Sequence, residues 1–195
     1  MGKLVVVEFV TLDGVMQSPT DPNEDRSGGF DKGGWQRPYF DDVLGEAMVR
    51  SQQEASAFLF GRRTYEAFAA YWPNQRADAP LAEKFNALPK YVVSTTLTEP
   101  LSWQNSSLIS SDVGQQVGRL KDELDGDVHL IGSGELVRTV MRDDLVDEYR
   151  LMVHPIVLGE GKRLFRDGDP LTRVQLTASM TTSTGVLLVT YSRPS

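Results

Sequence analysis

Short apolar segments alternate with amphipathic ones over the first three quarters of the chain. Five segments are rich in β-branched or aromatic residues, which is typical of buried strands. They cover residues 4–10, 57–60, 90–95, 107–110 and 128–131. Four segments carry apolar residues at helical spacing and predict amphipathic helices. They cover residues 40–54, 64–72, 113–124 and 136–141. Strands that alternate with helices predict right-handed βαβ units on a parallel sheet.

The last quarter of the chain is rich in strand patterns and poor in helical ones. Residues 149–153, 174–180 and 185–191 are the predicted strands there. Because no helical segment separates the last two, we expect a hairpin that extends the sheet with antiparallel strands at one edge. The pattern therefore predicts an α/β fold with a mixed, mostly parallel sheet.

Residues 13–38 interrupt this pattern with eight glycines and prolines and no regular period. Long irregular segments inside compact domains are uncommon unless they serve as lids or binding loops. We expect this segment to close over a binding cleft, and a disordered insertion is the alternative.

Composition narrows the classes of partner and chemistry. The 195 residues are consistent with a single domain over 1–195. The net charge of −7 argues against nucleic acid as a partner. Cysteine is absent, which removes thiolate nucleophiles and cysteine-based zinc sites, and we expect no metal site. Glu8 interrupts the first apolar run, which argues against a signal peptide, and no run is long enough to span a membrane. We expect a cytoplasmic protein without a membrane or nucleic-acid partner.

Two predicted strands run into glycine-containing turns that begin helices. The first turn is Gly61-Arg62-Arg63-Thr64, and the second is Gly132-Ser133-Gly134-Glu135-Leu136. Helix N-termini bind anions, and arginine adds bidentate bonds to phosphate. Turn glycines followed by solvated side chains are the alternative for each segment taken alone. Two such turns at the carboxyl ends of strands suggest a dinucleotide site.

A third strand, over residues 90–95, ends in two hydroxyl side chains. Ser94 and Thr95 are placed to hydrogen-bond a phosphate at the carboxyl end of that strand. Simple turn formation is the alternative.

Four segments together resemble the dihydrofolate reductase-like proteins. They are Leu12-Asp13-Gly14-Val15, Leu59-Phe60-Gly61-Arg62-Arg63-Thr64-Tyr65-Glu66, Ile131-Gly132-Ser133-Gly134-Glu135-Leu136 and His154-Pro155-Ile156-Val157-Leu158-Gly159-Glu160-Gly161. More narrowly, the chain resembles stand-alone proteins related to the reductase (RibD C-terminal) domain of riboflavin biosynthesis. The resemblance spans nearly the whole length, with the segments in the expected order.

The resemblance implies a fold, a cofactor and an assembly. The fold is a three-layer α/β/α domain with a mostly parallel central sheet and antiparallel C-terminal strands. The cofactor is NADPH, and a homodimer is common among these relatives. The implied cofactor-binding residues are Gly61, Arg62, Arg63, Thr64, Ser94, Thr95, Gly132, Ser133, Gly134, Glu135 and Leu136.

Three carboxylates are candidates for catalysis through the same resemblance. Dihydrofolate reductases carry a Trp-x-x-Pro-x-acid pattern at the first helix, and here Asp41 and Asp42 follow Trp35 one and two positions late. Asp13, after the first strand, is the third candidate. For Asp41 and Asp42 the alternative is an acid that complements a helix dipole.

The remaining polar candidates are weaker. His129 lies mid-strand and is expected in the core. His154 either borders the substrate cleft or is also buried. Lys162 and Arg163 either bind a substrate phosphate or lie at a solvated corner.

The combined prediction is an NADPH-dependent reductase that transfers hydride to a small, pterin-like or aminopyrimidine-like heterocycle. One alternative is a dinucleotide-binding module without turnover that serves regulation. Another is the reductase of riboflavin synthesis that acts on 5-amino-6-(5-phosphoribosylamino)uracil.

Overall fold

The computed structural model describes residues 2–76, 78–79 and 81–194. Its eight strands are β1 (Leu4–Thr11), β2 (Ala55–Gly61), β3 (Lys90–Val93), β4 (Ser106–Ile109), β5 (Asp127–Ile131), β6 (Glu148–His154), β7 (Gln175–Thr181) and β8 (Leu187–Ser192). Its helices are α1 (Asp42–Gln53), α2 (Arg62–Tyr71), α3 (Ala82–Ala87), α4 (Val113–Glu123) and α5 (Gly134–Arg142). Short 3-10 turns lie at Ser27–Gly29, Arg37–Tyr39 and Trp72–Asn74.

The strands form one sheet in the order β4-β3-β2-β5-β1-β6-β8-β7. The first six in this order pair in parallel, while β8 is antiparallel to β6 and β7 is antiparallel to β8. The predicted α/β class is confirmed, including the antiparallel C-terminal hairpin at one edge.

Helices cover both faces of the central strands. Even-numbered residues of β1, such as Val6, pack in one core cluster with apolar residues of α4 and α5. Odd-numbered ones, such as Val5, pack with Leu44 of α1. Further along the sheet, Phe58 and Phe60 of β2 pack on the α1 side with residues of α2 and α3. This burial on both faces explains why these strands are apolar throughout instead of alternating.

The start of α2 differs from the predicted one, and one helix was not predicted. α2 begins at Arg62, two residues before the predicted start, because Gly61 takes the extended N-cap conformation. α4 begins at Val113, as predicted, and Asp112 before it has a left-handed φ of 48° and makes no side-chain capping bond. α3 has six residues, too few for a helical period to be recognisable in sequence.

The hairpin at the end of the sheet differs from the central strands. Every residue of β7 is exposed, although an alternating strand normally buries one face. Leu176 and Met180 are both more than two fifths exposed.

Among the described residues, no helix is long and apolar enough to cross a membrane.

His129 lies in β5 near the amino ends of the strands, as a core residue. Its side chain is fully buried, and Nδ1 lies 3.1 Å from Oε1 of Gln52. Burial, with a smaller contribution from the charge of Arg150, lowers the pKa of His129 to about 3. The prediction of a core histidine is confirmed.

We predict that the titration of His129 weakens the fold in acid. The unfolded chain binds a proton near pH 6.5 and the folded chain only near pH 3, so the free energy of unfolding falls as the pH drops through this window, by at most about 1.4 kcal/mol per unit. His129→Asn removes the titration and keeps a donor for Gln52. Urea unfolding at pH 7, 5 and 4 should show a shallower acid dependence in this variant. Identical slopes in the two proteins would contradict the prediction.

Candidate active site

The two central strands separate at their carboxyl ends. β1 pairs with β5 only as far as Val7, opposite Ile131, whereas its pairing with β6 continues to Thr11. The helices that follow these neighbours lie on opposite faces of the sheet, α1 after β1 and α5 after β5. Ligands of open α/β sheets bind outside the carboxyl ends at such a switch point. The opening between β1 and β5 is therefore the candidate active site.

Ser133 ties the two predicted anion-binding turns together beside this opening. Its Oγ accepts a hydrogen bond from the backbone N–H of Gly61 at 2.9 Å and lies 2.8 Å from Oγ1 of Thr64. The N-termini of α2 and α5 are thereby held next to each other. The structure brings together these members of the predicted cofactor-binding set.

Glycines allow the close approach of these segments. Gly132 has a φ of +62°, and a Cβ there would lie 2.8 Å from Oγ1 of Thr64. A Cβ on Gly134 would lie 2.7 Å from Sδ of Met16, which follows β1. Side chains at either position would push the two turns or the 13–38 loop away from the opening.

The two arginines at the start of α2 have acidic partners. Arg62 contacts Glu66 one helical turn on, at 3.2 Å. Arg63 is 64% exposed in its side chain and lies 3.5 Å from Asp25 in the 13–38 loop. Both cations stand at a helix N-terminus whose first N–H groups lack intrahelical partners.

The 13–38 loop is ordered by its own polar side chains, which contradicts the disordered alternative. Gln17 donates to the carbonyls of Asp25 and Ser27, and Nε1 of Trp35 donates to the carbonyl of Gln17 at 2.8 Å. Nζ of Lys162 lies 2.6 Å from Oδ2 of Asp25. Burial opposes ionisation of Asp25, but bonds from Lys162 and Ser27 lower its pKa to about 2. Its carboxylate is thus shared between two cations, one of them at α2.

Glu8 lies at the opening. It was not predicted from the sequence as a site residue. It is 4% exposed, and its Oε1 makes no hydrogen bond within the described part of the chain. Burial, and then the nearby charge of Glu24, raise its pKa well above the usual value. The available signal was a charged residue inside a strand predicted to be buried on both faces.

His154 lies on the other face of the sheet, among aromatic rings. The rings of Phe9, Trp35 and Tyr39 lie 5.9, 5.1 and 5.9 Å from its own. Nδ1 lies 2.9 Å from the carbonyl of Met152, so it carries the proton, and Nε2 has no partner among the described residues. Burial lowers its pKa, which keeps the ring neutral. His154 is buried, but it lies at the carboxyl end of β6.

A model of the RibD C-terminal domain matches residues 2–188 of the sequence. The chain belongs to the RibD C-terminal domain family. The match covers both turns, the strands β1 and β5 that flank the opening, and β7, and it ends at the second residue of β8.

Relatives of this family member are found at sequence and structure level. It is 31% identical to the uncharacterized protein YyaP of Bacillus subtilis over 71% of this chain and 74% of the relative. It is 29% identical to YwjB of the same organism over 64% of this chain and 66% of the relative. A putative riboflavin biosynthesis protein from Shewanella sp. PV-4 shares the fold over the full length of both chains, with a TM-score of 0.74 and 20% identity. A pyrimidine reductase-like protein from Corynebacterium diphtheriae does so over 98% of this chain and 91% of its own, with a TM-score of 0.65 and 13% identity.

Two of the three candidate catalytic carboxylates hold parts of this RibD C-terminal domain together. Burial raises the pKa of Asp13, but bonds from Thr11 and from the backbone N–H groups of Gly159 and Leu158 outweigh it and lower the pKa to about 2. Arg163 also binds Asp13, through Nη2 at 3.3 Å. Asp13 therefore stays ionised at neutral pH and fastens the turn after β1 to the segment after β6.

Asp41 and Asp42 stand at the start of α1. Asp41 is the N-cap, and its Oδ1 accepts the N–H of Leu44 at 2.8 Å. Its Oδ2 accepts the hydroxyl of Ser183 at 2.6 Å, and the bonds from Ser183 and Leu44 lower its pKa. Asp42 is exposed in the first turn of the helix. The geometry supports a capping role for Asp41 and places neither carboxyl in the opening between β1 and β5.

Four other predicted cofactor residues lie around this centre. Ser94 accepts the N–H groups of Thr96 and Leu97 and so forms a turn after β3, while Thr95 is exposed. Glu135 is exposed and pairs with Arg166. Leu136 is 6% exposed and packs in the core, and its cofactor-binding role stays a prediction. Within the described residues, no group of three or more His, Asp or Glu side chains is placed to hold a metal ion.

We predict that Ser133→Ala destabilises the domain by about 1 to 2 kcal/mol, because Gly61 and Thr64 lose their shared partner. Ser133→Gly loses the same bonds but suits the φ of +69° found there. Urea unfolding should therefore rank wild type above the glycine variant and the glycine variant above the alanine variant. An alanine variant as stable as wild type would show that the tie contributes nothing.

Asp41→Ala should lower the Tm, because the first turn of α1 and the Ser183 turn lose a common acceptor. Asp42→Ala is the matched control one position along, and we expect its Tm to stay near that of wild type. Equal losses in the two variants would assign the effect to the helix dipole instead of the cap.

Proposed function

We propose that this family member is an NADPH-dependent reductase of a small planar heterocycle. The single observation that carries the proposal is the pair of βα turns joined by Ser133, next to an opening between the central strands. Such a crevice accepts an elongated ligand with a charged end at the helices and a flat end between the strands.

The residues at the turns fit a phosphorylated dinucleotide. Arg62 and Arg63 are 42% and 64% exposed in their side chains, so both can reach a ligand phosphate. Gly132 leaves no Cβ against Thr64 of the first turn, and Gly134 leaves none against Met16 after β1. When bound, the cofactor supplies the hydride, while the chain orients it and excludes water. For Arg63 to take a phosphate, it must exchange Asp25 for the ligand.

The other face of β1 supports a planar, partly apolar substrate. Phe9, Trp35 and Tyr39 surround the neutral His154 there. The rim at the carboxyl ends of the strands carries Leu12, 66% exposed. Aromatic walls with few polar groups are typical of sites for flat ring systems.

A phosphoribosyl substrate of the riboflavin type finds less support in the geometry. Lys162 and Arg163, the cations predicted for a substrate phosphate, are bound to Asp25 and Asp13. A substrate phosphate there would have to displace both carboxylates. We therefore propose a substrate that needs no phosphate group for binding.

The purified protein should oxidise NADPH in the presence of at least one compound from a panel of pterins, aminopyrimidines and quinones. The absorbance of NADPH measures this oxidation. NADPH binding without oxidation on any panel would support the dinucleotide-binding module instead. Absence of NADPH binding would overturn the proposal.

We predict that Arg62→Ala and Arg63→Ala each weaken NADPH by about tenfold, through loss of charge-assisted bonds to the phosphates. NADH lacks the 2′-phosphate. The substitution that removes the arginine facing this group should therefore weaken NADH binding by less than about threefold. Arg50→Ala, in the last turn of α1, is the matched control. Titration calorimetry measures all three, and equal losses for NADPH and NADH in both variants would remove the arginines from the 2′-phosphate.

A further inference from the structure

Glu8 is a buried carboxyl that the fold itself leaves unpaired. Its side chain is 4% exposed, and Oε1 has no hydrogen-bond partner within the described residues. An unpaired polar group in the core lowers the free energy of unfolding, and an apolar side chain of similar size would avoid that loss. Positions that break such a rule of stability are typical of functional sites.

The strand register places Glu8 at the inner end of the opening. It is the first residue of β1 beyond the last pair with β5, Val7 with Ile131. The alternation of β1 directs it to the same face as Val6 and Val10, the face covered by α5. On the β5 side the strand pairing with β1 ends at Ile131, and the chain turns away at Gly132.

The surroundings of Glu8 favour the protonated form of its carboxyl. Its strand neighbour on β6 is Leu151, and α5 presents Val137 and Val140 to this face, so none of these residues carries a charge. From the 13–38 loop, the carboxylate of Glu24 acts on it and adds to the effect of burial in raising its pKa. A buried carboxyl with no hydrogen-bond donor to Oε1 among the described residues is disfavoured in its ionised form, which favours the neutral acid.

A neutral carboxylic acid has a distinct recognition chemistry. Its O–H donates and its C=O accepts, side by side in one plane. A primary carboxamide presents the complementary pair, an acceptor oxygen and a donor N–H. A carboxylate lacks the donor, and a leucine lacks both groups.

We propose that Glu8 binds the carboxamide of a nicotinamide ring that enters between the carboxyl ends of β1 and β5, through a pair of hydrogen bonds. The inference rests on the proposed function, which supplies the ligand. Glu8 is in this view a binding residue that selects the carboxamide, and the carboxyl group keeps its proton throughout.

Two substitutions separate binding from a structural role. Glu8→Leu removes both hydrogen-bonding groups, and Glu8→Gln keeps one donor and one acceptor without an ionisable group. We expect the leucine variant to unfold at the same or a higher urea concentration, yet to bind NADPH about tenfold more weakly. The glutamine variant should bind within about threefold of wild type.

A cofactor analogue tests the same pair of bonds from the ligand side. The 3-acetylpyridine analogue of NADPH keeps the acceptor oxygen but has a methyl group in place of the amide nitrogen. Wild type should prefer NADPH over this analogue, and the leucine variant should lose that preference. Equal preference in the two proteins would overturn the proposal.

Infrared difference spectroscopy gives a readout that does not need the leucine variant to fold. The C=O stretch of a protonated carboxyl, identified by its loss in Glu8→Gln, should shift when NADPH binds to wild type. An unshifted band, or NADPH affinity unchanged in Glu8→Leu, would overturn the assignment of Glu8 and leave the proposed function intact. Failure of wild type to bind NADPH would instead overturn the proposed function, and this inference with it.

Discussion

The separation of β1 from β5 after Val7 is the constraint on which the rest of the site depends. It arises because the connections after these neighbours leave toward opposite faces of the sheet, so no helix closes the gap at the carboxyl ends. β1 keeps its partner β6 to Thr11, while the chain after Ile131 turns into α5. The two joined turns and Glu8 lie beside this gap.

Two sets of hydrogen bonds fix the backbone at the mouth of the gap, which is its carboxyl-end side. On the β5 side, Ser133 joins the start of α5 to the start of α2, and glycines on both turns permit the contact. On the β1 side, Asp13 fastens the turn after the strand to the segment after β6. These bonds are made within the protein, so the backbone at the mouth is already organised before any ligand arrives.

The loop of residues 13–38 links this frame to the surface charges. Asp25 lies between Arg63 and Lys162, which connects the loop to α2 and to the segment after β6 at once. Opposite charges held this way compete with an anionic ligand for the same cations. The loop therefore bears on phosphate binding as well as on access to the gap.

The elements with a repeated local signal were predictable from the sequence alone. Apolar runs covered on both faces and amphipathic periods gave the parallel sheet and four of the five helices, and glycines after strands marked both turns. It could not separate a carboxylate that caps a helix, as Asp41 does, from one that serves catalysis, because that depends on Ser183, far along the chain. That Oε1 of Glu8 has no partner beside the gap among the described residues follows from the tertiary structure alone, since its surroundings come from strands, a helix and a loop that are distant in sequence.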